Sequence, residues 1–555
     1  MRSATVVCAL LALAWILPLE ATLAWGWDET MHVALPAWRM LSAVRGADLA
    51  RFFEALHACE RYPFAYPLLV AVEQGLFGVS EHGVRVLGTL LWCATLLVVF
   101  ACARRAAPER GHAAWFALLF AATCPLALSF AGTAMLEVPA AFATALALAT
   151  WLRRRDDPLE SEKRGRRDRS AGWWLTVALF TKFNYGLLLW AALALDELVE
   201  LLLARRRGQL GRAFASTRSL AIWPLVALVW WFVLPIPEGL AVAAEHRAAL
   251  VDWLAGNQDQ VPTSWSIKLL NAATFFAPNP RVFLVLVVGA LATLSWVRRP
   301  PIRAAWLVLL VLGAGVLFHR FHLPRFLIPL GPALWILAGV GWTRILPRER
   351  LLRWPLTALL VAMCAIAPGW DAELLADKLG FFSANPEVRA YQQREFATQR
   401  ELWGSRRLRS LGLSVEESRR FFEVLASEVG EEERVAWVDL TEEVSPAGLQ
   451  YGLSRHKRTR RVFAEQLWDD NYVSIGGVDP QWSDARLEEW ASLYDVVLFT
   501  EPHHLRGRRG REFFDGYVAR LEARGWQRRE CGALSVERPL QAPLEVKLFT
   551  LRRRK

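Results

Sequence analysis

Two adjacent carboxylates, Asp28 and Glu29, follow the first long apolar run, residues 4–25, in the stretch Trp25-Gly-Trp-Asp-Glu-Thr-Met-His32. A carboxylate held at a membrane face can take a proton from an acceptor hydroxyl, which is general base catalysis. A third acid, Glu137, stands directly before Val138-Pro139. Cations and imidazoles fall at the ends or breaks of other apolar runs: Arg61, Lys182, His319, His322 and Arg325. Such groups can grip a phosphate and stabilise it as it departs. Tyr62 and Tyr66 accompany Arg61 in Glu60-Arg-Tyr-Pro-Phe-Ala-Tyr-Pro67. Each residue also has a plainer role. Asp28 can cap the next helix and Glu137 can favour a helix N-terminus. Arg61 and Arg325 can anchor to lipid headgroups, and Lys182 can snorkel. A single His is more often structural than catalytic. What separates the two readings is whether these groups share one side of a membrane.

The elements that would put them there are apolar helices. Of the 555 residues 54% are hydrophobic and 27 are Trp, too apolar for an ordinary soluble enzyme and suited to a polytopic membrane protein with a soluble appendage. The net charge of +11 does not indicate nucleic acid, because Arg and Lys come in short clusters between apolar runs with no aromatic-interleaved basic strand or Cys/His finger. The seven Cys show no metal spacing. In the tail, Asp439, His503 and His504 lack a nucleophile elbow, which argues against a hydrolase.

Residues 4–25 suffice for one crossing of a hydrocarbon core of about 30 Å. Met31, Leu35, Trp38 and Leu41 then recur at helical spacing, as in an amphipathic helix lying on the membrane surface. Residues 68–78, interrupted by Glu73, are too short to cross. Crossings are expected over 86–103, 113–131 and 134–152. Residues 173–203 would span about 46 Å as one helix and are expected to form two short crossings turning near Lys182. Further crossings fall over 222–236, 282–297, 304–318, 326–342 and 356–367. The total is about eleven, and it places Arg104, Arg105, Arg110, Arg153 to Arg155, Arg205 to Arg207, Arg298, Arg299 and Arg344 inside, as the positive-inside rule requires. Asp28, Glu29, Arg61, Tyr62, Tyr66, Glu137, Lys182, His319, His322 and Arg325 then share the outer face. From about Asp371 the composition turns polar. Residues 434–440 and 494–500 read as strands and 511–524 as an amphipathic helix, so residues 371–555 are expected to form a small extracytoplasmic α/β domain after an all-α membrane domain over 1–370.

Five stretches in order resemble the GT-C glycosyltransferases, in particular the protein O-mannosyltransferases and the lipid A aminoarabinose transferase. Asp28-Glu29 with Ala34, Ala37 and Met40 resembles their opening. Tyr62-Pro-Phe-Ala-Tyr-Pro-Leu-Leu69 resembles His-Pro-Pro-Leu-Tyr-Pro-Leu-Leu, and Met135-Leu-Glu-Val-Pro139 falls where the family has its second outer-loop acid. Leu179-Phe-Thr-Lys-Phe-Asn-Tyr-Gly186 is similar to a Leu-Thr-Lys-Gly segment, and His322-Leu-Pro-Arg-Phe-Leu-Ile-Pro329 to Arg-Tyr-Leu-Leu-Pro. Tyr62, Phe64 and Glu137 depart from the usual His, Pro and Asp. The resemblance implies an inverting transferase that moves a sugar from a polyprenyl-phosphate donor to a lipid, glycan or protein hydroxyl outside a bacterial cytoplasmic membrane. It implies Asp28 as base, with Glu29 and Glu137 orienting substrates or holding a divalent cation if one is used. Arg61, Lys182, His322 and Arg325 would bind the donor phosphate, and Tyr62, Tyr66 and His319 would line the donor or acceptor groove. The alternative is a transporter or flippase of a lipid-linked sugar. That reading calls for ionisable residues near mid-membrane and repeated halves. No repeat is visible, and Asp196 and Glu197 are the main acids away from the outer face.

Overall fold

The structure, a computed structural model, describes residues 2–16, 29–57, 63–155, 161–233, 265, 268–269, 272–273, 276–277, 280–319, 324–347, 350–365, 415–430, 433–437, 451–453, 464–466, 484–501, 516, 518–538 and 541–553. Helix α1 (Arg2–Ile16) packs on α5 (Glu81–Ala106). Between them a π-helical turn, Thr30–Ala34, runs into α2 (Leu35–Arg45), followed by α3 (Leu49–His57) and α4 (Ala65–Phe77). The helix expected around residues 31–41 is present from Leu35 as α2. It buries Leu35, Met40 and Leu41 against α4 and leaves Val44 exposed. With 13 residues α4 is about 20 Å long, short of a hydrocarbon core.

Helix α5 starts at an N-cap, Ser80, whose hydroxyl accepts from the Gly83 amide at 3.2 Å, and ends on Arg104 and Arg105. Acid at the start and base at the end complement its dipole. Residues 113–131, expected as one crossing, are broken in two: α6 (His112–Ala122) and α7 (Pro125–Ala131). Pro125 has no N–H to continue the first helix, and its fixed φ starts the second. Helix α8 (Glu137–Arg154) lies against α9 (Glu162–Thr181), and α10 (Phe183–Arg206) returns from it. The turn expected near Lys182 falls on that residue, which is extended at φ −159°, ψ 111°. Gly186 lets the two helices close up there, since a Cβ on it would lie 2.3 Å from the Leu179 Cα.

Helix α11 (Leu210–Leu228) passes into a second π-helical segment, Val229–Val233. After it come α12 (Pro280–Ala292), α13 (Pro300–Phe318), the 3-10 segment Pro324–Leu330, α14 (Gly331–Ile345) and α15 (Arg350–Ala365). Central α14 buries Trp335, Ile336 and Leu337 completely and packs on α6 and α12. At the α12 crossing a Cβ on Gly341 would come within 1.7 Å of the Gly289 carbonyl oxygen, so small residues set that backbone approach. Among the described residues four helices are long and apolar enough to cross a membrane: Glu81–Ala106, Leu210–Val233, Pro300–Phe318 and Arg325–Ile345. Five shorter apolar helices accompany them. Lengths alone therefore do not add up to the expected eleven crossings.

At the arginine-rich end a buried ion network joins four helices, α8, α9, α10 and α13. Arg154 Nε donates to Asp168 at 2.6 Å and its Nη1 to Glu197 at 2.8 Å. Arg155 and Arg303 donate to Asp196 at 2.9 and 2.6 Å, as does Trp151 Nε1 at 2.8 Å. Asp196 and Glu197, the acids that suited a transporter, are thus fully paired. They lie one α8 length, about 27 Å for its 18 residues, from Glu137.

The tail contains a five-stranded sheet in the order β2 (Ala464–Gln466), β1 (Val435–Trp437), β3 (Val496–Glu501), β5 (Gln541–Arg553), β4 (Trp526–Arg538). Strand β1 is parallel to β2 and β3, while β5 is antiparallel to β3 and forms a hairpin with β4. Helix α16 (Val415–Glu428) covers it with Phe421 and Leu425. The strands expected around 434–440 and 494–500 are β1 and β3. The expected helix 511–524 is described only at 516 and 518–524, helical through 522, and the boundary at 370 lies outside the described residues.

Candidate active site

Three helix beginnings meet at one small cavity lined by His32, Val33, Met135, Leu136, Glu137, Lys182 and Arg325. Glu137 opens α8, Lys182 is the extended link between α9 and α10, and Arg325 belongs to the 3-10 segment before α14. The π-helical turn contributes His32. Lys182 Nζ donates to Glu137 Oε1 at 2.8 Å, and Arg325 Nε is 3.4 Å from the same oxygen. Glu137 and Lys182 are 1% and 2% exposed, so the pair is held away from water. The Lys182 ammonium also stands 5.3 Å from the Tyr185 ring and 5.2 Å from the Phe326 ring, within cation–π range. Tyr185 Oη donates to the Phe326 carbonyl at 3.1 Å, tying the segment that carries Arg325 to the start of α10.

Both cations face Glu137 Oε1, and among the described residues Glu137 Oε2 has no hydrogen-bond partner. Buried cations beside an open acceptor suit an anion whose attached group carries a hydroxyl. The void itself is about 10 Å³, room for about one water, so substrate entry requires side chains to move. Glu29 lies close by and is 7% exposed. Its Oε1 accepts from the Ala134 amide at 2.8 Å, which fixes the turn leading into Glu137.

Of the residues singled out from the sequence, Glu137, Lys182 and Arg325 converge on the cavity, and Glu29 stands behind it. Tyr66 is buried with Val33, Ala34 and Leu136, and its hydroxyl has no partner among the described residues; it does not line the void. His319 sits at the end of α13, its carbonyl accepting from Lys268 Nζ and its ring 6.4 Å from that of Phe326, also outside the lining. Asp28, Arg61, Tyr62 and His322 lie outside the described residues. His32 was not anticipated. Its signal was available, since it follows Asp28 by four positions, the spacing of one helical face. Among the described residues no three of His, Cys, Asp or Glu group closely enough to hold a metal ion. In the tail, burial pushes the Cys531 thiol up, away from nucleophilic use.

Solved structures of similar shape bear on this site. The chain aligns with ArnT from Cupriavidus metallidurans in the apo state at a TM-score of 0.59 and 19% identity, over 98% of this chain and 97% of that one. The chain has a GT-C glycosyltransferase fold. The GT-C likeness extends to ArnT from the same organism bound to undecaprenyl phosphate, with a TM-score of 0.58, 16% identity and the same coverage of 98% and 97%. It extends also to the archaeal oligosaccharyltransferase AglB from Archaeoglobus fulgidus in complex with an inhibitory peptide and a dolichol-phosphate. There the TM-score is 0.50 at 12% identity, over 90% of this chain and 69% of that one. Residues 50–248 match the family model for dolichyl-phosphate-mannose-protein mannosyltransferase, a stretch that contains Glu137 and Lys182. No curated protein matches the sequence. With its apolar helices, this GT-C chain is an integral membrane protein.

Proposed function

We propose that this protein transfers a sugar from a polyprenyl-phosphate donor to an acceptor hydroxyl on the extracytoplasmic side of a bacterial cytoplasmic membrane, with inversion at the anomeric carbon. The observation that carries the proposal is the buried Glu137–Lys182–Arg325 cluster lining a cavity. In this reading Lys182 and Arg325, with Arg61 and His322, bind the donor phosphate. Asp28 takes the proton from the acceptor hydroxyl. The acceptor oxygen forms the new bond to the anomeric carbon from the face opposite the phosphate. The carbon–oxygen bond to the phosphate breaks, its electron pair stays on the phosphate, and the cations stabilise that charge as it develops. Glu29 holds the 134–137 turn in place, and Glu137 sets the spacing of the two cations and orients a sugar hydroxyl through Oε2. Tyr62, Tyr66 and His319 border the donor or acceptor groove. Residues 1–370 form the transferase domain and 371–555 an extracytoplasmic domain.

The likeness to ArnT bound to undecaprenyl phosphate supports a lipid-phosphate donor. The pairing of Asp196 and Glu197 at the opposite end counts against their use by a flippase. The test is turnover of labelled polyprenyl-phosphate sugars by purified protein in the presence of envelope lipids, glycans and proteins. Asp28→Asn should insert and fold normally yet lose transfer. Full activity of that variant would remove Asp28 as the base, and vectorial movement of donor without transfer would replace the enzyme with a flippase.

A further inference from the structure

Helix α13 has no basic residue in its own last turn, and the cation that completes it comes from elsewhere in the chain. Lys268, between the π-helical segment Val229–Val233 and α12, places its ammonium against that end. Its Nζ donates to the Leu317 carbonyl at 2.8 Å and to the His319 carbonyl. Carbonyls at a helix C-terminus have no partner within the helix, so both bonds answer a need that α13 itself leaves open. Lys268 is 4% exposed and pairs with no carboxylate among the described residues; its charge is met by the negative end of the helix dipole. Trp265, three positions earlier and so on the same side of a helical turn, closes the contact. Its ring stands edge-on to that of Phe318 at 5.1 Å and lies 5.2 Å from the Lys268 ammonium.

The capped end leads directly to the candidate site. His319 stands six positions before Arg325, and its ring meets that of Phe326 edge-on at 6.4 Å. Both cations of the site stand over the Phe326 ring, Lys182 Nζ at 5.2 Å and Arg325 Cζ at 5.9 Å from its centre. Tyr185 holds the Phe326 carbonyl from the other side. Fixing the main chain at His319 therefore fixes one neighbour of the ring on which the Arg325 guanidinium rests. We infer that Lys268 is a positioning residue for the donor phosphate: it caps α13 so that His319 and Phe326 hold Arg325 at the cavity. The ligand in this inference rests on the sugar-transfer reading; the contacts that hold Arg325 do not.

Binding of undecaprenyl phosphate to the full-length protein in detergent, together with hydrogen exchange across residues 324–330, tests it. Lys268→Met should weaken binding about tenfold and speed exchange across 324–330 by a similar factor, while exchange in α8 stays as in the wild type. Trp265→Ala keeps both carbonyl bonds and should weaken binding about threefold; it carries the comparison if Lys268→Met folds poorly. In a protein already carrying Arg325→Met, Lys268→Met should weaken binding no further, because the group it positions is gone. A cap that matters for folding alone would lower stability and leave binding unchanged, or weaken binding equally with and without Arg325. Either result would overturn the inference. A wild type that binds no undecaprenyl phosphate removes the sugar-transfer reading instead, and the exchange comparison still decides whether Lys268 holds the segment that carries Arg325.

Discussion

Lys182→Met is the most informative single change. At an effective dielectric of about 20, a charge pair at 2.8 Å is attracted by roughly 6 kcal/mol, and one at 3.4 Å by roughly 5 kcal/mol. Burial of both partners offsets much of this, and removing one member of a buried pair typically costs about 3–5 kcal/mol. Arg325 stays beside Glu137 in the variant and supplies part of the lost attraction, so the lower end, about 3 kcal/mol, is expected. Arg325→Met should cost less, about 1–2 kcal/mol, since Arg325 is farther from the carboxylate and 14% exposed. The double variant E137Q/K182M removes both charges and should regain most of the stability. Denaturant unfolding in mixed micelles, followed by intrinsic Trp fluorescence, gives the three values. Donor-phosphate binding gives an independent readout, because the double variant should regain stability without regaining affinity. A Lys182→Met cost under about 1 kcal/mol, or an Arg325→Met cost larger than that of Lys182→Met, would refute the buried-pair reasoning.

Four further outcomes follow from the geometry. Glu29→Ala leaves the buried Ala134 amide without its acceptor and should cost about 1–3 kcal/mol, whereas Glu29→Gln keeps an oxygen there and should be nearly neutral in the same unfolding assay. Arg154→Leu removes the guanidinium shared by Asp168 and Glu197, which keep Arg164 and Arg155 respectively, and should destabilise by about 3 kcal/mol, with Arg154→Lys recovering only part because one ammonium cannot serve both acids bidentately. Gly341→Ala must push α12 away from α14 and should lower thermal stability by an amount equivalent to about 1–3 kcal/mol, read by scanning fluorimetry. Asp28→Asn should reduce single-turnover transfer by a factor of about 10²–10⁴ while donor binding persists.

Much of the helical frame is readable from hydrophobic run length and from proline and basic punctuation. The break at Lys182 is a case: 31 apolar-rich residues are too long for one crossing, and the chain turns where a cation interrupts them. Convergence of Glu137, Lys182 and Arg325 follows from putting the ends of three helices on one side. What the sequence does not carry is which partner each charge finds. Glu29 accepts from a backbone amide 105 positions away, and nothing local to either residue announces that bond. Arg154 and Arg155 look like ordinary loop-facing cations until α9 and α10 bring Asp168, Asp196 and Glu197 against them. The β4–β5 hairpin passed unread because the outer face of β4 is so rich in Arg and Glu that only Leu544, Val546 and Leu548 keep a clean alternation. The split at Pro125 had its signal in the residue itself, and run length alone masked it.

Tyr451 belongs to the polar tail by sequence, yet its side chain is 3% exposed and packs with Val33, Ala34, Tyr66 and Leu136, the layer directly behind the carboxylates. The tail thus acts as a keystone for the outer helices. Cutting the chain after the last apolar helix would uncover an apolar seam beside Glu29 and loosen the turn that aims Glu137. A loop swap in the tail near this tyrosine reaches the setting of Glu29 and Glu137 mechanically, through packing, without touching a single charged group.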